Sequence, residues 1–296
     1  MLFPVAGIEV NPLVPPTVSF IISFLTSMSG LSGAFLLLPF QMSILGYVSP
    51  SVSATNQLFN IVAIPSGVFR YVREGRMVWP LTWAVIVGTL PGVLIGAIIR
   101  VKFLPSAALF KLFVGLVLLY IGLRLIKTLQ FKKSSADTKL STVIAGKTKT
   151  VEFSLKRIAY SFEGTTYSAS TSGIFLLTFI VGIIGGIYGI GGGAIIAPFF
   201  ITFFGLPVYT VAGACLMGTF VTSVAGVGVY QTLAYIYPTQ SIAPDYLLGL
   251  LFGVGGLCGM YLGAMCQKYV PANLLKIILA AFIMFTALSY ITAYFT

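Results

Sequence analysis

The fourteen residues GIYGIGGGAIIAPF (Gly186–Phe199) decide how this chain folds. They lie in a run from Gly173 to Pro244 that carries no charged residue, which is too apolar for a solvent loop. Yet Gly186, Gly189, Gly191, Gly192 and Gly193 crowd into eight positions. Each glycine costs about 1 kcal/mol relative to alanine in a helix interior, so an unbroken helix there is unfavourable. A helix that enters a membrane and breaks inside it meets both conditions. Such a break leaves main-chain N–H and C=O groups without intrahelical partners, tolerable only where they are buried in protein or line a wet cavity.

The same pattern occurs upstream. SMSGLSGAFLLLPF (Ser27–Phe40), placed on the quoted stretch at an offset of 159, pairs Gly30 with Gly189, Gly33 with Gly192, Pro39 with Pro198 and Phe40 with Phe199. Gly46 then meets Gly205 and Val52 meets Val211, while Gly88, Gly92 and Gly96 meet Gly255, Gly259 and Gly263 at an offset of 167. Lys102 and Pro105 meet Lys268 and Pro271 at 166. The chain reads as two copies of one unit. Spans long enough to cross about 30 Å of hydrocarbon follow each broken segment: Val52–Phe69, Val78–Ile99 and Ala107–Ile126, then Tyr209–Tyr237, Tyr246–Met265 and Ala272–Phe295.

Between the copies, VEFSLKRIAYSFEGTTYSAS (Val151–Ser170) alternates apolar and polar residues around Glu163-Gly164, a hairpin signal. It reads first as a solvated linker with a two-stranded flap, second as a regulatory or partner-binding insert. The fold class expected is an all-α integral membrane protein with two homologous repeats. Each repeat is a glycine-broken (re-entrant or discontinuous) helix plus three transmembrane helices, with a small β-hairpin-like insert between the repeats. The expected boundaries are 13–128 for the first repeat, 129–172 for the polar cytoplasmic linker and 173–296 for the second.

Composition agrees. With 58% hydrophobic and 8% charged residues and a mean hydropathy of +1.03, the 296 residues cannot solvate two soluble domains. Histidine is absent, which removes the usual acid/base of neutral pH and the commonest metal ligand. Cys215, Cys258 and Cys266 lie in apolar stretches without CxxC spacing and read as core residues. No enzyme, metal or cofactor is therefore expected.

The net charge of +11 reads as topology rather than nucleic-acid binding. If both broken segments are re-entrant, each copy has three crossings and the copies are inverted. Arg70, Arg73, Arg76, the eight basic residues from Lys127 to Arg157, and Lys268 then share the cytoplasmic side, against Arg100 and Lys102 outside. Parallel copies of four crossings move Lys268 to the wrong side, so inversion fits better. The N-terminus MLFPVAGIEVNPLVPPT carries an acid and no basic n-region, so the first apolar segment is expected to stay in the mature protein.

Chemistry at the breaks follows from the backbone. A helix N-terminus carries about half a positive charge, and glycine lets an anion reach its N–H groups. SGLSG (Ser29–Gly33) and GIGGG (Gly189–Gly193) thus offer an anion cradle from Gly30, Ser32, Gly33, Gly189, Gly191, Gly192 and Gly193; a cation held by the freed carbonyls is the rival reading. The next span of each copy supplies neutral polar groups, Asn56, Gln57 and Asn60 in the first, Thr219, Thr222 and Ser223 in the second. Arg70, at the cytoplasmic end of its span, is placed for bidentate capture of a sulfonate or carboxylate, with topology setting as its other reading.

Other readings of these glycines are weaker. GIGGG matches part of a dinucleotide fingerprint, but no strand–turn–helix unit with a following acid surrounds it. Gly30-Leu31-Ser32-Gly33 matches the GxSG of rhomboid intramembrane proteases, whose serine needs a histidine. The glycines recurring every four residues at 88–96 and 255–263 are assigned to close helix packing. No Asp or Glu falls within a span, so a buried-carboxylate proton relay is missing. Anion efflux down the membrane potential gains ~2.3 kcal/mol per charge per 100 mV and needs no proton coupling.

Gly189-Ile190-Gly191-Gly192-Gly193 followed by Pro198 and GLP (Gly205–Pro207), repeated more loosely as SGLSG with Pro39, resembles the TauE/SafE sulfite exporter family. REGRMVW (Arg73–Trp79), PGVLIGA (Pro91–Ala97) and GMYLGA (Gly259–Ala264) agree with it, and the resemblance covers both halves. Two departures fall at the proposed pocket. Ala54-Thr55-Asn56-Gln57-Leu58 stands where an Ala-Thr-Ser-Leu run is frequent, and Gly213-Ala214-Cys215-Leu216 where Gly-Thr-Ser is usual. The resemblance implies a secondary transporter or exporter of sulfite, sulfonate or related small organosulfur anions across the cell membrane. An anion channel and a membrane-embedded sensor or assembly partner are the alternatives. The partners implied are a small sulfur-containing anion and the lipid bilayer, with no nucleic acid and the oligomeric state open.

Overall fold

The computed structural model describes residues 1–28, 31–131, 148–193, 195–266 and 272–295, and these form ten helices and two small sheets. The helices are α1 (Val14–Ser27), α2 (Ala34–Ser43), α3 (Ser51–Arg73), α4 (Trp79–Lys102), α5 (Ala107–Phe131), α6 (Thr171–Tyr188), α7 (Ala197–Phe204), α8 (Val208–Ile236), α9 (Tyr246–Cys266) and α10 (Ala272–Phe295). Starts follow local chemistry. Proline occupies the first turn of α1, α4 and α7, where a missing N–H costs nothing. The Ser170 hydroxyl caps α6, and the Asp245 carboxylate accepts from Leu248 N (3.1 Å) at the start of α9.

Among the described residues, five helices are long and apolar enough to cross a membrane: Trp79–Lys102, Ala107–Arg124, Thr171–Tyr188, Thr210–Ile236 and Tyr246–Cys266. Their outward faces carry large apolar side chains such as Trp83, Val87, Leu176 and Val254, which suits contact with lipid. Cys215 is buried, as a core residue should be. Cys258 instead lies exposed on α9, because it falls on that helix's outward face.

Both glycine-rich stretches interrupt helix. α1 stops at Ser27 and α2 opens at Ala34; α6 stops at Tyr188 and α7 opens at Ala197. In the second break Gly189 (φ 83) and Gly191 (φ 76) hold left-handed backbone that a side chain rarely adopts. Gly189 closes α6 by donating to Gly185 O at 2.9 Å.

Helices pair as α1 with α9, α4 with α6, α3 with both α8 and α9, α4 with α8, and α5 with α10. The four-residue glycine series lie at two of these contacts. A Cβ on Gly92 or Gly96 would overlap the α6 backbone at Phe179 and Ile183, and one on Gly255, Gly259 or Gly263 would overlap the carbonyls of Pro16, Phe20 and Phe24 in α1. The close approach expected from the spacing is what brings these main chains together.

Hydrogen bonds gather the connections at the two ends of α3. At its start, the short hairpin β1 (Leu2–Phe3) and β2 (Ile8–Glu9) joins the α8–α9 connection through Ser241 Oγ to Val5 O (2.7 Å) and Ala6 N to Asp245 Oδ2 (3.2 Å). Ser51, at the head of α3, donates to Ser241 O and Ala243 O, and Asp245 N donates to Thr55 Oγ1 (2.9 Å). At the opposite end, Thr148 donates to Gly75 O and Met77 O, both at 3.0 Å.

Thr148 leads into an antiparallel sheet of β3 (Lys149–Phe153), β4 (Arg157–Phe162) and β5 (Thr165–Ser170), in that order. The expected hairpin is β4–β5, closed with Phe162 opposite Thr165, and both turn residues hold positive φ (Glu163 50, Gly164 75) as a two-residue hairpin prefers. β3 adds a third strand, bulged between Thr150 and Glu152. Residues 132–147 of the linker lie outside the described residues. The sheet docks through Tyr160 Oη and Thr210 Oγ1 (2.7 Å), and Thr171 N bonds Lys156 O (3.2 Å).

Candidate functional site

Helix α3 carries Asn56, Gln57 and Asn60 on one buried turn, and α8 carries Thr219, Thr222 and Ser223 opposite, all with no exposed surface. The two asparagines bridge the helix breaks. Asn56 Nδ2 donates to Ala34 O, in the first turn of α2, and to Gly189 O, at the end of α6, both at 3.0 Å. Asn60 Nδ2 donates to Ile190 O (3.0 Å) and Ser223 Oγ (3.3 Å), while its Oδ1 accepts from Ser32 Oγ (2.8 Å). Ser32 Oγ in turn accepts from Ala34 N at 3.3 Å. Two carbonyls that the second break releases from the helical ladder, Gly189 O and Ile190 O, are thereby bonded by side-chain amides.

The α8 hydroxyls perform the matching task on the second break. Thr222 Oγ1 accepts from Gly192 N (3.0 Å) and donates to Gly218 O (2.7 Å), and Thr219 Oγ1 donates to Cys215 O (2.9 Å). Packing here is tight. A Cβ on Gly189 would overlap Ser53, one on Gly192 would meet the Thr89 side chain, and one on Gly193 would strike Cys215 O and Thr219.

Most residues singled out in the sequence therefore come together: Ser32, Gly33, Asn56, Asn60, Gly189, Gly191, Gly192, Gly193, Thr219, Thr222 and Ser223 sit at or between the breaks. Gly30 lies outside the described residues. Gln57 is fully buried beside Gly226, and neither its Nε2 nor its Oε1 has a partner among the described residues. Arg70 is not with them. It lies about 21 Å along α3 from Asn56 at 1.5 Å per residue, and its Nε donates to Glu74 Oε1 at 2.8 Å; Arg76 also pairs with Glu74.

Four side chains join the site that the sequence reading passed over. Gln41 Nε2 donates to Asn56 Oδ1 at 3.4 Å. Tyr188 Oη donates to Phe35 O (2.8 Å), Tyr230 Oη to Gly186 O (3.0 Å) and Ser53 Oγ to Ile187 O (3.3 Å). Gln41 was findable as the sole amide side chain in AFLLLPFQMS. The tyrosines carried no signal, since nothing local separates them from the rest of the fifteen in the chain.

Apolar spanning helices around two interrupted ones, with a buried polar girdle at the interruptions, define a multi-pass membrane protein. The family model described as sulfite exporter TauE/SafE matches residues 17–290, and the chain belongs to that family. Its role is that of a membrane transporter. The chain is similar to the probable membrane transporter protein YunE of Bacillus subtilis (strain 168), at 22% identity over 86% of this chain and 87% of the relative. It is similar also to the probable membrane transporter protein YdhB of the same organism, at 29% identity over 39% of this chain and 44% of that relative. No solved structure gives a significant match.

Proposed function

We propose that the protein is a secondary transporter that exports a small sulfur-containing oxyanion, sulfite or a sulfonate, across the cell membrane through a site between its two helix breaks. The observation that carries this is the pair of buried asparagines. By binding Ala34 O, Gly189 O and Ile190 O, Asn56 and Asn60 leave main-chain N–H groups as the polar face available to a substrate, and the N-terminal turn of α2 adds its partial positive charge. Their amide protons are committed to the protein, so direct donation to substrate falls to main-chain N–H groups and to Gln57. The tight packing belongs to a closed state, and entry requires α3 or α8 to move away from the glycines.

Inverted copies suit this reading. Both ends of the first broken segment bond to the α8–α9 connection, through Ala6 before α1 and Ser51 after α2. Both ends of the second bond to the β-sheet, through Thr171 and Thr210. These bonds support two re-entrant segments entering from opposite faces, in repeats 13–128 and 173–296 joined by the linker 129–172. The helix pairings also map onto themselves when the copies are exchanged: α1 on α9 becomes α6 on α4, and α3 on α9 becomes α8 on α4. The sheet and Arg70–Arg76 then face the cytoplasm, as their positive charge favours.

Uptake of labelled sulfite and sulfoacetate into proteoliposomes of the purified protein tests the proposal. Saturable, voltage-driven flux with counterflow is expected; flux without saturation or counterflow favours an anion channel. No flux of either anion overturns the substrate assignment.

A further inference from the structure

Arg100, in the last turn of α4, is the one fully buried arginine among the described residues. Its NH1 donates to Leu104 O, its NH2 to Val48 O at 3.2 Å, and its guanidinium lies 3.6 Å from the centroid of the Phe110 ring. Among the described residues no carboxylate pairs with it, and its Nε has no partner. Two neutral carbonyls and a ring make a meagre environment for a buried cation, whose desolvation costs several kcal/mol even after relaxation. Pinning the two connections alone asks only for a neutral amide.

Position gives the charge a use. Tyr230 packs with Ala97 and Val101 of α4, which flank Arg100 in sequence. Tyr230 and Ser53 bond Gly186 O and Ile187 O, immediately before the second break. The Tyr230 side chain thus reaches from a carbonyl before the break to the turn of α4 that carries Arg100, whose guanidinium is covered by the α2–α3 and α4–α5 connections through Val48 and Leu104. The offset that pairs the two copies sets Arg100 against Cys266 or Gln267, so the second copy has no arginine at the matching position.

We propose that Arg100 is a second anion station, at the face that carries the N-terminus: when the connections holding Val48 and Leu104 part, its guanidinium takes the oxyanion passed along Ser53 and Tyr230 from the breaks. The inference rests on the transporter reading above. It makes the two faces of the carrier unlike, with a buried guanidinium for charge-assisted, fork-shaped anion capture at the N-terminal face.

Wild type, Arg100→Gln and Arg100→Lys, reconstituted in oriented proteoliposomes, test it with sulfite presented at either face. Arg100→Gln should raise KM at the N-terminal face by about tenfold, as loss of a charged hydrogen-bonding partner does, and leave KM at the sheet-bearing face within about twofold. Arg100→Lys, which keeps the charge and loses the fork, should sit between. Equal KM changes at both faces, or none, overturn the proposal and leave Arg100 as a pin for the two connections. Should Arg100→Gln fail to fold, Arg100→Lys decides by the same asymmetry. A wild type that moves neither sulfite nor sulfoacetate removes the transporter reading and this inference with it, whereas a competent wild type with an unaltered Arg100→Gln removes this inference alone.

Discussion

The Asn56 side-chain amide donates to the Gly189 carbonyl at 3.0 Å, so a residue of the helix after the first break holds the backbone of the second. Its other proton goes to Ala34 O, in the first turn of α2. One side chain thereby fixes the distance between two glycine-rich interruptions that lie far apart in sequence. Asn60, one turn on, repeats the arrangement with Ile190 O and Ser32.

Asn56→Ala removes both donors and leaves the buried Gly189 carbonyl short of a partner, at about 1–3 kcal/mol for such a group. The variant should unfold at a lower temperature in detergent and lose transport. Thermal unfolding of purified protein, read beside flux, checks this; an unchanged melting temperature contradicts the bridging role.

Gly192→Val directs a β-branched side chain at Thr89, whose Cγ2 and Oγ1 already stand 2.9 Å from where its Cβ would lie. The expected outcome is normal insertion into the membrane with no sulfite flux. Full activity in this variant would remove Gly192 from the working site.

Gly259→Leu should separate α9 from α1, because its Cβ alone would overlap Phe20 O and lie 2.9 Å from Phe20 C. Overpacking of this kind typically costs 1–3 kcal/mol, measurable as lost folded yield and a lower melting temperature. Gly228→Ala is the contrasting case, since nothing stands within 4 Å of its added Cβ. It should be neutral or slightly stabilising, through better helix propensity.

Burial of the Tyr160 phenol beside Thr210 pushes its pKa up from 10.0 to about 12. The folded state therefore prefers the neutral phenol. Its contribution is complete below pH 10, the unfolded value, and is lost as pH rises through about 12. Docking of the sheet on α8 should weaken across that window in wild type, and the step should vanish in Tyr160→Phe. Ultraviolet titration of phenolate absorbance, compared between the two proteins, measures it.

Much of the fold was legible because glycine and hydrophobicity conflict in the two quoted stretches, and a broken intramembrane helix resolves that conflict. The spans read as Val52–Phe69 and Val78–Ile99 are helices that extend to Arg73 and Lys102, since basic residues in a last turn suit the negative end of the helix dipole. Asn56 and Asn60 stood out as amides in apolar sequence, but only tertiary geometry shows that they serve main-chain carbonyls. β3 was hidden by its bulge, which disturbs the alternation that signals a strand. Arg100 read as an outer-face charge; Val48 of the α2–α3 connection and Phe110 in the first turn of α5 bury it.

Labelling single cysteines from one face of intact membranes, in a background without the native three, tests the paired re-entrant breaks most directly. Leu13→Cys and Ile44→Cys, at the exposed ends of the first broken segment, should react from the same face. Ser172→Cys and Gly205→Cys, flanking the second, should both react from the opposite face. If Leu13→Cys and Ile44→Cys label from opposite faces, the first segment crosses the membrane outright, and the paired re-entrant segments of inverted repeats are contradicted.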